Sequence, residues 1–175
     1  MKTKVNEITV SYKGNFKANQ FPKISSSFDA GELLFNTWNK GSIGLHESFK
    51  VILLNNANKV KGIYEVSSGG ITGTLVDIRL LFAVLLKSLT TAVILAHNHP
   101  SGTLRPSEAD KSLTRKIISA GELLDIKVLD HLIINPDGNY FSFSDEGIIY
   151  FRCGRLFWSP VPLWKIGLNF KISGG

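Results

Sequence analysis

The sequence predicts a mixed α/β domain in which helices cover a sheet, and three observations lead to this fold class. The chain has 175 residues, of which 43% are hydrophobic and 19% charged, as expected for one compact domain with a substantial core. Apolar residues alternate with polar ones in some segments and recur at helical spacing in others. These segments follow one another roughly in the order β-α-β-β-α-β-α-β-β, which is typical of layered α/β domains.

The first half of the chain is predicted to contain a strand, a helix and a hairpin. Residues 8–12 alternate between apolar and polar side chains, which indicates an opening strand. Residues 27–38 place apolar side chains at helical spacing, and a serine or aspartate is available to cap the start of this helix. Residues 48–54 and 60–67 are predicted strands that flank an asparagine-rich turn at residues 55–58.

The second half is predicted to contain two helices, a buried strand and a final hairpin. Residues 77–89 repeat large apolar side chains at helical spacing, and residues 91–96 form a short apolar run typical of buried central strands. The next helix opens at Pro106 and Ser107, and Gly121 is predicted to be the first residue beyond its end. The final hairpin comprises residues 127–134 and 139–143, joined by a turn at residues 135–138.

The basic charge of the chain lies at its two ends. Residues 1–26 contain five lysines and one glutamate, residues 148–175 contain four basic residues and no acid, and residues 27–147 contain 11 basic and 13 acidic residues. Two basic ends can contact phosphates or can simply be solvated. We therefore divide the chain into a basic segment 1–27 with a strand, a central domain 28–147, and an aromatic, basic tail 148–175. The tail is interpreted as an extra edge strand, an oligomer contact or a foreign segment.

Composition also bears on the compartment and on the kind of metal site. A single cysteine, Cys153, excludes an internal disulfide framework and a cysteine-rich zinc knuckle, so that any metal must use nitrogen and oxygen ligands. Residues 1–21 lack the apolar stretch of a secretory signal, and polar residues interrupt the apolar run 80–96. We expect a cytoplasmic protein without a membrane partner.

Two of the four histidines are placed where they can share a metal ion. His97 and His99 follow the predicted buried strand, and alternation along extended backbone puts residues i and i+2 on one face. Both imidazoles can therefore converge on one point at the edge of the sheet. Taken alone, such a pair more often caps backbone groups or faces water, because short motifs give many false matches.

A third candidate ligand lies at the start of the following helix. Ser107-x-x-Asp110 has the form of a capping box, which by itself indicates only a well-formed helix start. The helix dipole keeps the Asp110 carboxylate ionised, and the helix begins just past the histidines. Two imidazoles and one carboxylate leave a fourth tetrahedral position for water, which is the open coordination expected of a catalytic zinc site.

The joined spacing of these residues resembles a known family signature. His97-x-His99, seven further residues and Ser107-x-x-Asp110 are similar to the H-x-H-x7-S-x2-D signature of the JAMM, or MPN-type, metalloproteases. Residues 97–102 resemble the RadC-like branch of that family, and the resemblance covers about residues 28–147. Further similarity lies in Glu47-Ser48-Phe49, in Asp130-His131 and in Tyr140-Phe141-Ser142-Phe143.

This resemblance implies a cytidine-deaminase-like JAB/MPN fold and a set of site residues. The implied zinc ligands are His97, His99 and Asp110. The family also uses a serine that helps to stabilise the tetrahedral intermediate, a role that falls on Ser107. Its acidic general base lies well before the histidines, where Glu47 matches the place and Glu65 is the alternative. His131 is interpreted as a structural histidine of an apolar strand or as a contact to the ligands or the substrate.

Two function classes remain open at this point. The first is a zinc-dependent hydrolase in which metal-activated water attacks an amide or isopeptide carbonyl, with a peptide or isopeptide as substrate. The second is a DNA-repair-associated accessory module with a structural or vestigial metal site and weak nucleic-acid contact through the basic ends. The aromatic tail adds the prediction of a homo-oligomer. Deamination is excluded, because zinc deaminases need H-x-E with P-C-x-x-C and the chain has one cysteine.

Overall fold

A five-stranded mixed sheet with helices on both faces forms the body of the protein. The computed structural model describes residues 20–69 and 75–149, together with the backbone of residues 151–153 and 157–159. The helices in this part of the chain are α1 (Ser27–Thr37), α2 (Ile78–Lys87) and α3 (Glu108–Leu123). The strands are β1 (Ser48–Leu54), β2 (Val60–Ser68), β3 (Ala92–Asn98), β4 (Lys127–Ile134), β5 (Tyr140–Ser142), β6 (Phe151–Cys153) and β7 (Phe157–Ser159).

The strand order in the sheet is β2-β1-β3-β4-β5. β3 and β4 run parallel, and the other neighbours are antiparallel. β3 lies at the centre, and all seven of its residues are buried. This accounts for its apolar run, because a central strand is covered on both faces. β6 and β7 pair with each other as a separate ribbon rather than extending this sheet.

Alternation along the strands divides the core into two layers. The layer under α1 contains Leu34 and Trp38 packed against Ile52, Ile94 and Leu132. The opposite layer, under α2 and α3, contains Leu81, Leu85 and Ile117 packed against Val51, Val93 and Leu95. The predicted class, a mixed sheet flanked by helices, is therefore confirmed.

The residues before the helices explain where the helices begin. Ser26 accepts a hydrogen bond from the Asp29 amide at 3.2 Å, and Asp77 accepts one from the Arg79 amide at 2.9 Å. Ser107 and Asp110 form a reciprocal capping box at the start of α3. No helix in the described residues is both long enough and apolar enough to cross a bilayer.

Several predicted boundaries differ from the structure. Gly121 does not follow α3 but lies within it, and the left-handed residue after the helix is Asp125 with φ of 53°. β3 extends two residues past Ala96 because its pairing with β4 continues to Asn98. The last strand is shorter than predicted, spanning only β5. The opening strand at residues 8–12 lies outside the described residues.

Candidate metal centre

The candidate ligands come from the end of β3 and the start of α3. His97 is the sixth residue of β3, His99 follows its last residue, and Asp110 lies in the first turn of α3. Because α3 is the connection from β3 to its parallel neighbour β4, its N-terminus lies beside the carboxyl end of β3. One nitrogen from each imidazole and one carboxylate oxygen of Asp110 lie within 4.8 Å of one another. The structure thus brings the three residues of the motif together.

The atoms that face one another are both Nε2 nitrogens and the Asp110 carboxylate. The two Nε2 atoms are 3.0 Å apart. His97 Nε2 lies 3.4 Å from Asp110 Oδ1, and His99 Nε2 lies 4.0 Å from Asp110 Oδ2. His97 is almost fully buried, whereas His99 and Asp110 are partly exposed. The cluster is therefore anchored inside the protein and open on one side.

A backbone carbonyl sets the tautomer of His99. Its Nδ1 lies 2.7 Å from the carbonyl oxygen of Thr103, which can only accept a hydrogen bond. The hydrogen of neutral His99 therefore resides on Nδ1. The lone pair on Nε2 is left facing the cluster.

A chain of three hydrogen bonds sets the tautomer of His97 in the same sense. Thr114 donates its hydroxyl to the Asp110 carbonyl at 2.6 Å, so its oxygen must accept from Nδ1 of His131, also at 2.6 Å. His131 Nε2 then accepts from Nδ1 of His97 at 2.8 Å. Because the hydrogen of His97 resides on Nδ1, its Nε2 lone pair also faces the cluster.

Burial keeps the imidazoles of His97 and His131 neutral. Desolvation lowers the pKa of His97 to about 4, against an opposing attraction from Asp110 and with a smaller lowering by His99. Desolvation also drives the pKa of His131 well below its ordinary value, and His97 and His99 lower it further. Neutral imidazole is the form that binds metals, so His97 is ready for that role near pH 7.

The resulting arrangement of donors suits a divalent cation. With both ring hydrogens on Nδ1, no hydrogen lies between the two Nε2 atoms. Their lone pairs, 3.0 Å apart, therefore repel each other. A cation in contact with both nitrogens and with Asp110 removes that repulsion. Two imidazoles and a carboxylate are a common zinc set, although imidazole also suits copper, iron and nickel. The residues present therefore fit a metal ion.

Ser107 holds the carboxylate of Asp110 in place. Asp110 Oδ2 accepts hydrogen bonds from the Ser107 amide at 2.7 Å and from the Ser107 hydroxyl at 2.6 Å. The same hydroxyl oxygen accepts from the Asp110 amide at 3.1 Å. Oδ1 is left as the oxygen nearer His97, which makes it the candidate ligand atom. The oxyanion role implied for Ser107 requires its hydroxyl hydrogen to turn away from Asp110.

Glu47 lies beside this cluster, immediately before β1. It lines a cleft of about 370 Å³ together with His97 and Asp110. Much of the remaining wall is apolar and comes from β1, α2, α3 and the residues before α2. These apolar lining residues are Phe49, Leu75, Val76, Ile78, Ala109 and Leu113.

Glu65, the alternative base, lies on the other face of the sheet. It pairs in register with Lys50, and their side chains form an ion pair of 3.2 Å. Lys50 lies over the ring of Trp38 in the α1 layer. Phe49, its neighbour on β1, faces the opposite layer and stacks with His97. Of the two acids, only Glu47 therefore lies on the side of the imidazoles.

Two further residues of the site were not assigned from the sequence. Thr114 lies one helical turn after Asp110, but its hydrogen bond to His131 spans separate elements and gives no local signal. Asn98 lies between the two histidines, and no role was assigned to it. It is fully buried and makes three hydrogen bonds to the segment that carries Glu47. His131 contacts His97 directly, which was one of the two interpretations left open for it.

Comparisons with known proteins agree with this architecture. Residues 24–148 match the family described as RadC-like JAB domain. A UPF0758 protein of Flavobacterium johnsoniae is 57% identical over 128 residues, which cover 72% of this chain and 53% of the relative. UPF0758 proteins of Porphyromonas gingivalis and Clostridioides difficile are 48% and 41% identical over 103 residues, which cover 59% of this chain and 45% and 43% of the relatives. The chain thus spans about half the length of these relatives, whose names state no reaction or substrate.

Proposed function

Because the chain belongs to the RadC-like JAB domain family, we propose that it is a zinc-dependent hydrolase that cleaves an amide or isopeptide bond. The observation that carries this proposal is the pair of imidazoles whose Nε2 atoms meet 3.0 Å apart beside a carboxylate. His97, His99 and Asp110 would hold the ion, leaving one side of the cluster open toward the cleft. When bound, zinc polarises the substrate carbonyl and lowers the pKa of coordinated water to about 7.

The chain's own residues supply the remaining chemistry. Glu47 accepts the proton of the attacking water and passes it to the leaving amine, which requires a carboxylate beside the open side of the cluster. The apolar wall of the cleft shields the bound substrate from bulk water. Ser107 orients Asp110 and, once its hydroxyl turns, donates to the oxygen on which negative charge develops.

Metal content provides the first test. We expect the purified protein to bind about one equivalent of zinc, and we expect His97→Ala to lose it, as measured by elemental analysis after dialysis. His46→Ala is the matched control, because His46 lies outside the cluster. A wild-type protein without zinc after incubation with the metal, or an unchanged content in His97→Ala, contradicts the proposal.

Hydrolysis provides the second test. Glu47→Gln is expected to retain zinc but to lose cleavage of a peptide library by a factor of about 100 or more, because it removes the general base. Glu65→Gln is the control on the opposite face and should leave both properties unchanged. If Glu47→Gln cleaves as well as the wild type, the assigned base is wrong.

The second candidate is a DNA-associated accessory module with a structural metal site. The charge distribution favours it, since the two ends of the chain are basic while the central region is slightly acidic. Zinc binding without cleavage of any peptide or isopeptide, together with salt-dependent retention on DNA, would favour this candidate over the hydrolase.

A further inference from the structure

The pairing of β3 with β1 ends before its pairing with β4, next to the cluster. β3 pairs with β1 only as far as Phe49 and His97, whereas its pairing with β4 continues to Asn98 and Ile134. The main-chain ladder on the β1 side therefore stops two residues short of Glu47. Where this ladder stops, the side chain of Asn98 bonds to the backbone at the start of β1 and just before it.

The amide of Asn98 binds the backbone on both sides of Glu47. Its Oδ1 accepts from the Ser48 amide at 2.7 Å, and its Nδ2 donates to the His46 carbonyl at 2.9 Å. Nδ2 also donates to the Ile43 carbonyl at 2.7 Å, so both of its hydrogens are used. Asn98 is 0% exposed, which removes it from contact with substrate.

A further backbone contact, which does not involve Asn98, also holds this segment. The carbonyl of Glu47 accepts from the Gly69 amide at 2.8 Å. Backbone groups of residues 46, 47 and 48 are therefore all fixed, two of them by Asn98. Because Asn98 stands between His97 and His99 in the chain, the segment that supplies two ligands also sets the position of the acid.

We propose that Asn98 is a positioning residue that holds Glu47 at a fixed distance from the metal ligands. This inference rests on the proposed function, because it gives Glu47 the task of proton transfer. An asparagine suits the position because a planar amide offers two donors and one acceptor together. A serine or threonine hydroxyl supplies one donor, and an aspartate would face two carbonyl oxygens with no donor at all.

The test uses Asn98→Ser in the full chain loaded with Co²⁺, whose absorption spectrum reports the metal environment without any substrate. We expect the variant to bind one equivalent of metal, as the wild type does. We expect Glu47→Gln to move the pH midpoint of the Co²⁺ spectrum and Asn98→Ser to move it in the same direction. The double variant should show no further shift, since both changes remove the same carboxylate from its place.

Amide hydrogen exchange supplies a second readout that does not involve the metal. The Ser48 amide should exchange about tenfold faster or more in Asn98→Ser, because its acceptor is lost. Asn135→Ser is the matched control, since Asn135 is also buried at the end of a strand and, among the described residues, its side chain bonds to its own turn. That control should change neither the Co²⁺ midpoint nor the Ser48 exchange rate.

The outcomes separate this inference from the proposed function. A wild-type protein that binds neither zinc nor cobalt defeats the hydrolase proposal, whatever the exchange rates show. If metal binds and Glu47→Gln moves the midpoint while Asn98→Ser leaves it unchanged, the positioning role is overturned and the hydrolase remains.

Two further measurements test the positioning role even if Asn98→Ser fails to fold. Asn98→Thr keeps one hydroxyl and has a β-branched side chain suited to a strand, and it should show the same two effects. In the wild type, the Asn98 side-chain amide hydrogens should be strongly protected from exchange. If they exchange as fast as those of an exposed asparagine, the positioning role is overturned without any variant.

Discussion

At the scale of single residues, Thr114 fixes the hydrogen position on His97, a candidate ligand that it does not touch. Its hydroxyl hydrogen goes to the Asp110 carbonyl, which fixes the hydrogen positions on His131 and then on His97. Without the hydroxyl, His131 would carry an unsatisfied Nδ1–H in a fully buried position. It would relieve this by moving its hydrogen to Nε2, which forces the hydrogen of His97 onto Nε2, the nitrogen that faces His99 and the candidate metal site.

We therefore expect Thr114→Val to weaken zinc binding by about 10-fold to 100-fold, the usual effect of removing a partner behind a ligating histidine. Competition with a zinc chelator measures this change. Thr114→Ser should restore the affinity because it keeps the hydroxyl. Thr90→Val is the matched control, since Thr90 is buried at the far end of β3 and bonds to Ser88. Equal losses in both valine variants would show that the relay has no special role.

Asp130 is the second residue with a distinctive environment. Desolvation raises its pKa to about 7, although Ser142, Ser144 and His131 all donate hydrogen bonds to it. Both backbone amides bind Oδ1, while Oδ2 faces only the Ser142 hydroxyl. A protonated carboxyl can donate from Oδ2 to Ser142, and an asparagine can do the same from Nδ2.

Asp130→Asn should therefore match the neutral form and change the pH dependence of stability. Between the ordinary pKa of 3.8 and about 7, the folded wild type binds more protons than the unfolded chain. Its free energy of unfolding should fall with rising pH across that window, by up to about 1.4 kcal/mol per pH unit. Urea unfolding from pH 5 to pH 8 should show that the stability advantage of the variant over the wild type grows as the pH rises to about 7 and then levels off. His97 also has a shifted pKa, but it contributes equally to the pH dependence of both proteins and so cancels in the difference between their stabilities. A constant difference would refute the raised pKa.

At the scale of elements, α3 shows what the sequence could and could not predict. Its start was predictable, because Ser107 and Asp110 form the cap within four consecutive residues. Its end was not, because Gly121 serves a tertiary contact rather than a left-handed turn. A Cβ on Gly121 would lie 2.4 Å from the Ile126 carbonyl oxygen, where the chain returns to begin β4. The glycine allows the helix to continue beneath that backbone.

Gly121→Ala should therefore destabilise the protein although alanine favours helices. We expect a loss of roughly 1–3 kcal/mol, as for overpacked interiors, after an offsetting gain of about 1 kcal/mol in helix propensity. Urea unfolding measures it. Gly62→Ala is the control, because a Cβ there meets nothing within 4 Å. An unchanged urea midpoint for Gly121→Ala would show that the backbone at Ile126 can shift away from the new Cβ without loss of stability.

At the scale of the whole molecule, what the sequence could predict depends on how far apart in the chain the contacting residues lie. The layered fold was predictable because each element carries its own periodicity. The candidate ligand cluster was predictable because His97, His99 and Asp110 lie close in the chain. Glu47 and Glu65 could not be separated, because the face that each occupies depends on strand register, and a shift of one residue reverses it. Asn98 binds residues some 50 positions away, which no local pattern reveals.

The separation of charge leads to a prediction about nucleic acid. Residues 20–149 contain 12 basic and 13 acidic residues, so that eight of the 20 lysines and arginines lie outside them with only one acid. Phosphate binding depends on neutralising cations and weakens by about 0.9 log units in affinity per contact for each tenfold rise in salt. We expect any retention of the full chain on DNA to show such a slope, and a chain limited to residues 20–149 to show no retention even at low salt. Fluorescence anisotropy with a labelled duplex measures both, and zinc content confirms that the shorter chain is folded. Salt-dependent binding by a folded, zinc-loaded chain of residues 20–149 would place the DNA contact on the JAB domain itself and contradict its assignment to the basic ends.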